Sequence, residues 1–384
     1  MKGDRAWACI DLDRISSNLS CAREMLPSRR ILAVVKADAY GHGAISVCKR
    51  LQEDGIDYLG VGTSREALDL RAHGITAPIL VLGALIESEL DSVMEQDITV
   101  TIHSPGRIAE LEKLAQNRGI PIPVHLLVDT GMSRLGVSSE HAAKYAHTIE
   151  ESRWLNLEGL GTHLSTPRSD EVVDLQKSVF KSVLSTLQKM GIHPPLIHVD
   201  ASKSALRSTD PEFNMVRLGG WIYGILPKDD TNLQLSPALS LHSQIVYLRD
   251  HTEGRSIGYG GTFVTKRDSR LATISIGYHD GLPTSLSNKG YVIVRGTKVP
   301  VVGRVTMDYT TIDVTDVPGV EVGDFVTLLG EDNGESIRAE ELAHWCNLVP
   351  YEVTCLLGRR ITRVPVSQLE DKVTDQDHLE VERG

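Results

Sequence analysis

Residues 31–43 read ILAVVKADAYGHG, in which an apolar, β-branched run leads directly into a lysine and then into a glycine-rich turn. The run is typical of a buried strand, and lysine is almost never fully buried unless it is paired or used. A desolvated lysine loses its proton more easily, and it can then attack carbonyl groups to form Schiff bases. A strand-end lysine that extends its amine into water is the alternative interpretation of this stretch alone.

Similar runs recur along the first part of the chain. Most of them are continuously apolar, as expected of parallel strands that are buried on both faces. The predicted strands are residues 31–36, 58–63, 79–83, 98–102, 123–129, 157–164, 196–202 and 215–222. Helix-like segments, such as 104–119 and 170–191, lie between most of them. This pattern favours an α/β fold with a closed (β/α)8 barrel of the TIM type over an open doubly wound sheet.

The sequence changes in character after Pro237. Short β-rich runs separated by turn residues predict a mainly-β C-terminal domain in this part of the chain. We therefore predict a barrel domain over residues 13–237 and a β-rich domain over 238–384, which the N-terminal strand at 1–12 can join. One helix is predicted within the second domain at 336–347, with Ser336 as its N-cap.

Composition limits the classes of partner. The net charge of −11, from 51 acidic and 40 basic side chains, argues against nucleic acid or an anionic membrane as the main partner. No apolar run approaches the length of about 18 residues that a membrane span needs, and the first residues contain no apolar signal core. The five cysteines are scattered without a CxxC pair, which indicates reduced thiols in the cytoplasm and no metal site.

In a (β/α)8 barrel the active site lies at the carboxyl ends of the strands. The polar and glycine residues at these ends include Lys36, Tyr40, Arg134, His163, Ser202, Arg217, Gly219 and Gly220. Barrel enzymes often bind phosphate on the loops after strands seven and eight, where Ser202 and the two glycine amides would lie. A Schiff-base lysine and a phosphate site in one barrel mouth imply pyridoxal 5′-phosphate as cofactor. His198, on strand seven, is predicted to face either the barrel interior or the edge of the cofactor ring.

The stretch AVVKADAYGHG is similar to the pyridoxal-lysine signature of alanine racemases. The resemblance covers nearly the whole chain, since further motifs follow in the order of that family. They include DTGMSRLG at 129–136, VRLGGWIYG at 216–224, SIGYGGTF at 256–263, VGRVTMD at 302–308 and PYEV at 350–353. The resemblance implies a racemase that interconverts L- and D-alanine and supplies D-alanine for peptidoglycan.

The resemblance also implies roles for individual residues. Lys36 resembles the cofactor lysine and one of two racemising bases, and Tyr259 resembles the base on the opposite face. Arg217 resembles the arginine that faces the pyridine nitrogen, with His163 supporting both Arg217 and Tyr259. The implied phosphate ligands are Tyr40, Ser202, Gly219, Gly220 and Tyr351, and the implied ligands of the substrate carboxylate are Arg134 and Met307. In this family Tyr259 and Met307 would reach the barrel mouth of a partner subunit, which implies a homodimer with composite active sites.

The implied chemistry is physically consistent. Racemisation removes the Cα proton from one face of the amino acid and returns a proton on the other, so two bases on opposite sides serve it well. A guanidinium stays protonated, so a pyridine nitrogen that faces Arg217 should stay unprotonated. The ring is then a weaker electron sink, which favours rapid reprotonation at Cα over transamination or decarboxylation.

Three positions depart from the family pattern and leave the amino-acid specificity open. Leu127 stands where many relatives carry a lysine that braces the arginine of the DTGM motif, Thr306 where cysteine is common, and Thr284 where arginine is frequent. A racemase of the same fold that acts on serine or a broader set of amino acids is therefore one alternative. A non-catalytic pyridoxal-phosphate carrier and a barrel decarboxylase are others, but carriers of this type lack the second base and the β-rich domain.

Overall fold

The computed structural model of the chain describes residues 4–166, 169–208, 210–226, 233 and 235–367. The chain forms two compact units. The barrel unit comprises Asn18–Ile222 and Leu226–Gln234, and the β-rich unit comprises Met1–Ser17, Tyr223–Ile225 and Leu235–Gly384. The last part of the predicted second domain, residues 368–384, lies outside the described residues.

The barrel unit is a closed ring of eight parallel strands, as the sequence predicted. Strands one to eight are Arg30–Val34, Tyr58–Val61, Ile79–Val81, Thr99–Ile102, Ile122–Asp129, Leu155–Gly161, Leu196–Ala201 and Met215–Leu218. Strand eight pairs with strand one, with Val216 opposite Ile31, and this pairing closes the ring. Most residues of the shorter strands are buried on both faces, which explains their unbroken apolar runs.

Helices follow most of the barrel strands. They are Ala44–Glu53, Ser64–Ala72, Leu90–Met94, Pro105–Arg118, Ser139–Glu150 and Asp170–Lys189, with Leu12–Met25 before strand one. The helix Ser64–Ala72 begins with a capping box, in which Thr63 and Glu66 satisfy each other's backbone N–H groups. Turns over residues 202–207, and not a helix, follow strand seven.

The turn that follows strand one has an unusual backbone. Strand one ends at Val34, and the segment Lys36–Tyr40 begins two residues later. Ala37, Asp38, Ala39 and Tyr40 have φ angles between 53° and 55°, in the left-handed region that L-residues rarely occupy. At roughly 1–2 kcal/mol for each residue, the turn stores on the order of 4–8 kcal/mol of strain, which the surrounding contacts must offset.

The β-rich unit is built from one large, mainly antiparallel sheet with shorter hairpins, in which Ala6–Asp11 and Thr362–Val366 form a parallel pair. Its strands are Ala6–Asp11, Leu239–His251, Ser256–Ile257, Phe263–Val264, Ser269–Ile274, Tyr291–Val294, Thr297–Pro300, Thr310–Asp313, Phe325–Asp332, Glu335–Ile337 and Thr362–Val366. The N-terminal strand Ala6–Asp11 lies between Leu239–His251 and Thr362–Val366. Among the helices of the described residues, none is both long and apolar enough to cross a membrane.

One predicted helix of this unit begins later than expected. The helix is Ala339–Cys346 and not 336–347, and Ser336 is not its N-cap because it lies in the strand Glu335–Ile337. The carboxylate of Glu341 instead accepts the N–H of Arg338 at 2.9 Å at the start of the helix. A second helix, Pro350–Cys355, follows it and was not predicted.

Candidate active site

The carboxyl ends of the barrel strands bring several of the predicted residues together. Lys36 opens the left-handed turn after strand one, and Tyr40 closes that turn. A Cβ atom added to Gly219, after strand eight, would lie only 2.7 Å from the Tyr40 hydroxyl oxygen. The N–H of Gly219 donates to Ser202 Oγ at 3.0 Å. Tyr40, Ser202 and Gly219 therefore lie close together, and the absence of a side chain at Gly219 makes room for the Tyr40 hydroxyl.

Arg217 lies on strand eight inside the barrel and is only 6% exposed. Its Nη2 donates to His163 Nδ1 at 3.2 Å and to the carbonyl oxygens of Thr162 and Val199 at 2.8 and 3.0 Å. Its Nη1 donates to His198 Nδ1 at 2.5 Å and to the His198 carbonyl at 2.9 Å. None of these acceptors is a carboxylate, so the positive charge of Arg217 is not neutralised by an ion pair with any of them. Burial lowers the pKa of Arg217 to about 10, which leaves it protonated near neutral pH.

His163 follows strand six and lies close to three positive charges. Burial, together with Arg217, Arg134 and Lys36, lowers the pKa of His163 to about 3. The imidazole is therefore neutral near pH 7, and its Nδ1 can accept the hydrogen bond from Arg217. The electrostatic effect on His163 also places Arg134 and Lys36 near the same barrel mouth.

Two buried histidines, His198 and His125, continue the hydrogen bonds of Arg217 into the barrel interior. Since arginine only donates hydrogen bonds, His198 Nδ1 must accept, and the proton of this ring is on Nε2. His198 Nε2 lies 2.9 Å from His125 Nδ1, which accepts in turn. Burial lowers the pKa values of both histidines, so both rings are neutral. Side chains on Gly159 and Gly161 would collide with the two rings, since added Cβ atoms would lie within 2.4 and 2.1 Å of them.

Glu158 lies at the far end of this chain. Its Oε2 approaches His125 Nε2 at 3.4 Å, and its Oε1 accepts the Tyr58 hydroxyl at 2.8 Å. Burial alone would favour the neutral carboxyl, but the nearby His125 ring and the hydrogen bond from the Tyr58 hydroxyl lower the pKa of Glu158. The sequence had left the orientation of His198 open, and the structure places it in the barrel interior. His125 and Glu158 were not predicted, although the glycines at 159 and 161 signal the space that the histidine rings need.

The other predicted site residues lie in the β-rich unit. Tyr259 is 73% exposed and Met307 is 51% exposed within the chain, and Tyr351 lies in the helix Pro350–Cys355. The segment around Met307 is well held, because Arg360 donates to Asp308 Oδ1 at 2.7 Å and to Asp280 Oδ1 at 2.9 Å.

The loop that carries Arg134 is held by Asp129. One oxygen of this carboxylate accepts the N–H groups of Gly131 at 2.9 Å and Ser133 at 3.0 Å. Leu127, on strand five, is half-buried and offers no charged or polar group to Arg134. The loop geometry near Arg134 is therefore set by backbone contacts to Asp129 and not by a lysine at position 127.

Comparison with known proteins identifies the family. A family model described as "Alanine racemase, N-terminal domain" matches residues 10–227, and one described as "Alanine racemase, C-terminal domain" matches residues 238–365. An alanine racemase of Caldanaerobacter subterraneus subsp. tengcongensis is 40% identical over 361 residues, which cover 92% of this chain and 93% of that protein.

Solved structures agree with these matches. An alanine racemase of Clostridium difficile 630 has a TM-score of 0.91 at 32% identity and covers 96% of this chain and 97% of its own. An alanine racemase of Bartonella henselae with covalently bound pyridoxal phosphate has a TM-score of 0.85 at 30% identity, over 94% of this chain and 99% of its own. With both domains matched and the motifs in the same order, this chain belongs to the alanine racemase family.

Proposed function

We propose that this protein is an alanine racemase that uses pyridoxal 5′-phosphate to interconvert L- and D-alanine. The observation that carries the proposal is Arg217, a buried cation in the barrel mouth whose hydrogen-bond acceptors are all neutral. A decarboxylase of this fold would more readily place a carboxylate at that position. A cation there favours proton exchange at Cα over reactions that need a strong electron sink.

The residues of the barrel mouth fit the cofactor. The cluster of Tyr40, Ser202 and Gly219 suits a phosphate, because it brings two hydroxyl groups together at a backbone position without a side chain. We assign Gly220 and Tyr351 to the same phosphate site, and Lys36 to the aldehyde. When bound, pyridoxal phosphate withdraws electrons from Cα of the amino acid and so weakens its C–H bond.

The chain supplies the bases and the substrate contacts. Lys36 would exchange the Cα proton on one face, and Tyr259 would exchange it on the other. Arg134 and Met307 would bind the substrate carboxylate. Arg134 would do so through its positive charge, and Met307 would contact it from the segment that Arg360 holds in place. His163, which is neutral, would orient Arg217 and Tyr259 without adding another positive charge.

In a dimer, Lys36 and Tyr259 of the same chain can belong to two different active sites. Tyr259 and Met307 are exposed within the chain, which supports a homodimer in which each β-rich unit completes the barrel mouth of its partner. The five cysteines all lie in the described residues and none forms a disulfide, which supports a cytoplasmic location. A role in supplying D-alanine to peptidoglycan follows from the proposed activity.

The proposal is tested by the rates at which purified enzyme racemises L-alanine, L-serine and L-lysine. We expect kcat/KM for alanine to exceed that for the other two by at least about 10-fold, which is within the discrimination that one or two side-chain groups provide. A preference for serine or lysine would favour the same-fold racemase with a different specificity. A protein that binds the cofactor but exchanges no Cα hydrogen in D₂O would be a non-catalytic carrier.

A further inference from the structure

Glu66 connects the turn that carries Lys36 to the neighbouring strand–helix unit. Its Oε1 accepts the N–H of Ala37 at 2.7 Å, and Ala37 directly follows Lys36 in the chain. Its Oε2 accepts the N–H groups of Gly62 at 2.7 Å and Thr63 at 3.1 Å. Both oxygens of this carboxylate are therefore occupied by backbone donors on two different barrel connections.

The turn that Glu66 holds is the strained, left-handed one. Other contacts fix it locally, since Asp38 Oδ1 accepts the N–H of Ala44 at 2.7 Å and His42 Nδ1 lies 3.0 Å from the carbonyl oxygen of Tyr40. These contacts stay within residues 38–44, whereas Glu66 anchors the start of the turn to the connection after strand two. A left-handed run of residues with side chains persists only where the surrounding structure determines it.

The side chain of Lys36 passes the same place. A Cβ atom added to Gly62 would lie 3.5 Å from Lys36 Cβ, 3.7 Å from Lys36 Cδ and 3.2 Å from Glu66 Oε2. The aliphatic part of the Lys36 side chain and the carboxylate of Glu66 thus both lie next to Gly62. Glu66 therefore holds the peptide that follows Lys36 and also lies beside the Lys36 side chain.

We propose that Glu66 is a positioning residue for the reaction. Its carboxylate holds the left-handed turn against its strain, and the turn directs the Lys36 amine towards the cofactor aldehyde and the substrate Cα. Both oxygens of Glu66 are used by backbone donors, so Glu66 acts on the reaction only through the position of Lys36. The inference rests on the proposed role of Lys36, but it assigns a separate function to a residue of the second strand–helix unit.

The test is the variant Glu66→Gln. A glutamine offers only one acceptor oxygen, so its NH₂ group must face either the Ala37 N–H or the Gly62 and Thr63 N–H groups. We expect kcat for alanine racemisation to fall by about 10²-fold, because a shift of 1 Å in a reacting group has effects of that size. KM should change less than kcat, since the substrate contacts are untouched.

A second readout does not depend on turnover. Borohydride reduction fixes the cofactor to the lysine that holds it, and peptide mass spectrometry then gives the fraction of chains modified at Lys36. We expect this fraction to fall in Glu66→Gln at a cofactor concentration that saturates the parent enzyme. Adding Ala37→Gly to the Glu66→Gln background should recover part of both readouts, because glycine adopts the left-handed conformation without the same strain.

Glu341→Gln is the matched control, because Glu341 also caps a helix by accepting a backbone N–H but lies in the β-rich unit. It should leave kcat and the Lys36-bound fraction unchanged. If Glu66→Gln does not fold, Glu66→Asp retains the charge with a shorter reach, and it should lower kcat and the Lys36-bound fraction as well. The proposal is overturned if the folded Glu66 variants match the parent enzyme, if Glu341→Gln loses as much as they do, or if Ala37→Gly recovers nothing. A parent enzyme that neither racemises alanine nor binds cofactor at Lys36 would instead refute the proposed function.

Discussion

Replacing Tyr259 by phenylalanine is expected to lower the rate of alanine racemisation by about 10²–10⁴-fold, the usual contribution of a positioned base. The hydroxyl is the only group removed, and Tyr259 is 73% exposed within its chain, so the fold should be retained. Lys36 remains, and it can still remove and return a proton on its own face. One enantiomer of alanine should therefore continue to exchange its Cα hydrogen without inversion.

The measurement is the incorporation of deuterium at Cα in D₂O, followed separately for L-alanine and D-alanine by NMR. We expect exchange of one enantiomer at a rate well above its rate of inversion. Tyr247→Phe serves as the control, because Tyr247 is 54% exposed on a strand of the same unit. If Tyr259→Phe racemised alanine as fast as the parent enzyme, Tyr259 would not be a base.

Replacing Lys36 by alanine should have the largest effect of any single substitution. It removes both the amine that would hold the cofactor and the base on one face, so we expect racemisation to fall by about 10⁴-fold or more. The visible absorbance of the lysine-bound cofactor should disappear with it. Lys36 is exposed and lies outside the core, so the variant should fold.

Absorbance spectra and racemisation rates of Lys36→Ala give the result. Lys113→Ala, on the exposed side of the helix Pro105–Arg118, controls for the loss of a lysine elsewhere in the barrel unit. Unchanged absorbance in Lys36→Ala would mean that another amine holds the cofactor. Retained racemisation would show that the reaction does not depend on Lys36.

Much of the barrel could be predicted because buried parallel strands leave a simple signature. Continuous apolar runs such as ILAVV mark strands with both faces covered, and all eight were found in the right order. Since the carboxyl ends of parallel strands meet at one end of a barrel, residues after different strands could be placed together. Lys36, His163 and Arg217 do lie at that end, and their roles in the reaction stay predictions.

The backbone of the lysine turn could not be predicted from its own sequence. Residues 37–40 contain no glycine, so local propensity gives no reason to expect four left-handed residues. The turn is fixed partly by Glu66, which lies 29 residues from Ala37 in the chain. A conformation that depends on such a distant contact leaves no periodic signal in the sequence.

The buried polar chain below Arg217 was missed for a related reason. His125 and Glu158 lie on strands five and six, among apolar neighbours that predict only a buried strand. They meet only in the folded sheet, because His125 on strand five contacts His198 on strand seven across strand six, where Gly159 and Gly161 leave room for the two rings. For the β-rich unit, the sequence predicted the class of secondary structure but not every boundary. The helix that begins at Ala339 was predicted to begin three residues earlier.

The central claim is that Lys36 and Tyr259 act in one active site but come from different subunits. It is tested by mixed dimers of Lys36→Ala and Tyr259→Phe chains, co-expressed with two different affinity tags and purified through both. In such a dimer one site contains both intact residues and the other contains neither. The account predicts about half of the specific activity of the parent dimer, since one of two equivalent sites is restored. Mixed dimers no more active than the two single variants, or full racemase activity in a monomeric parent enzyme, would contradict it.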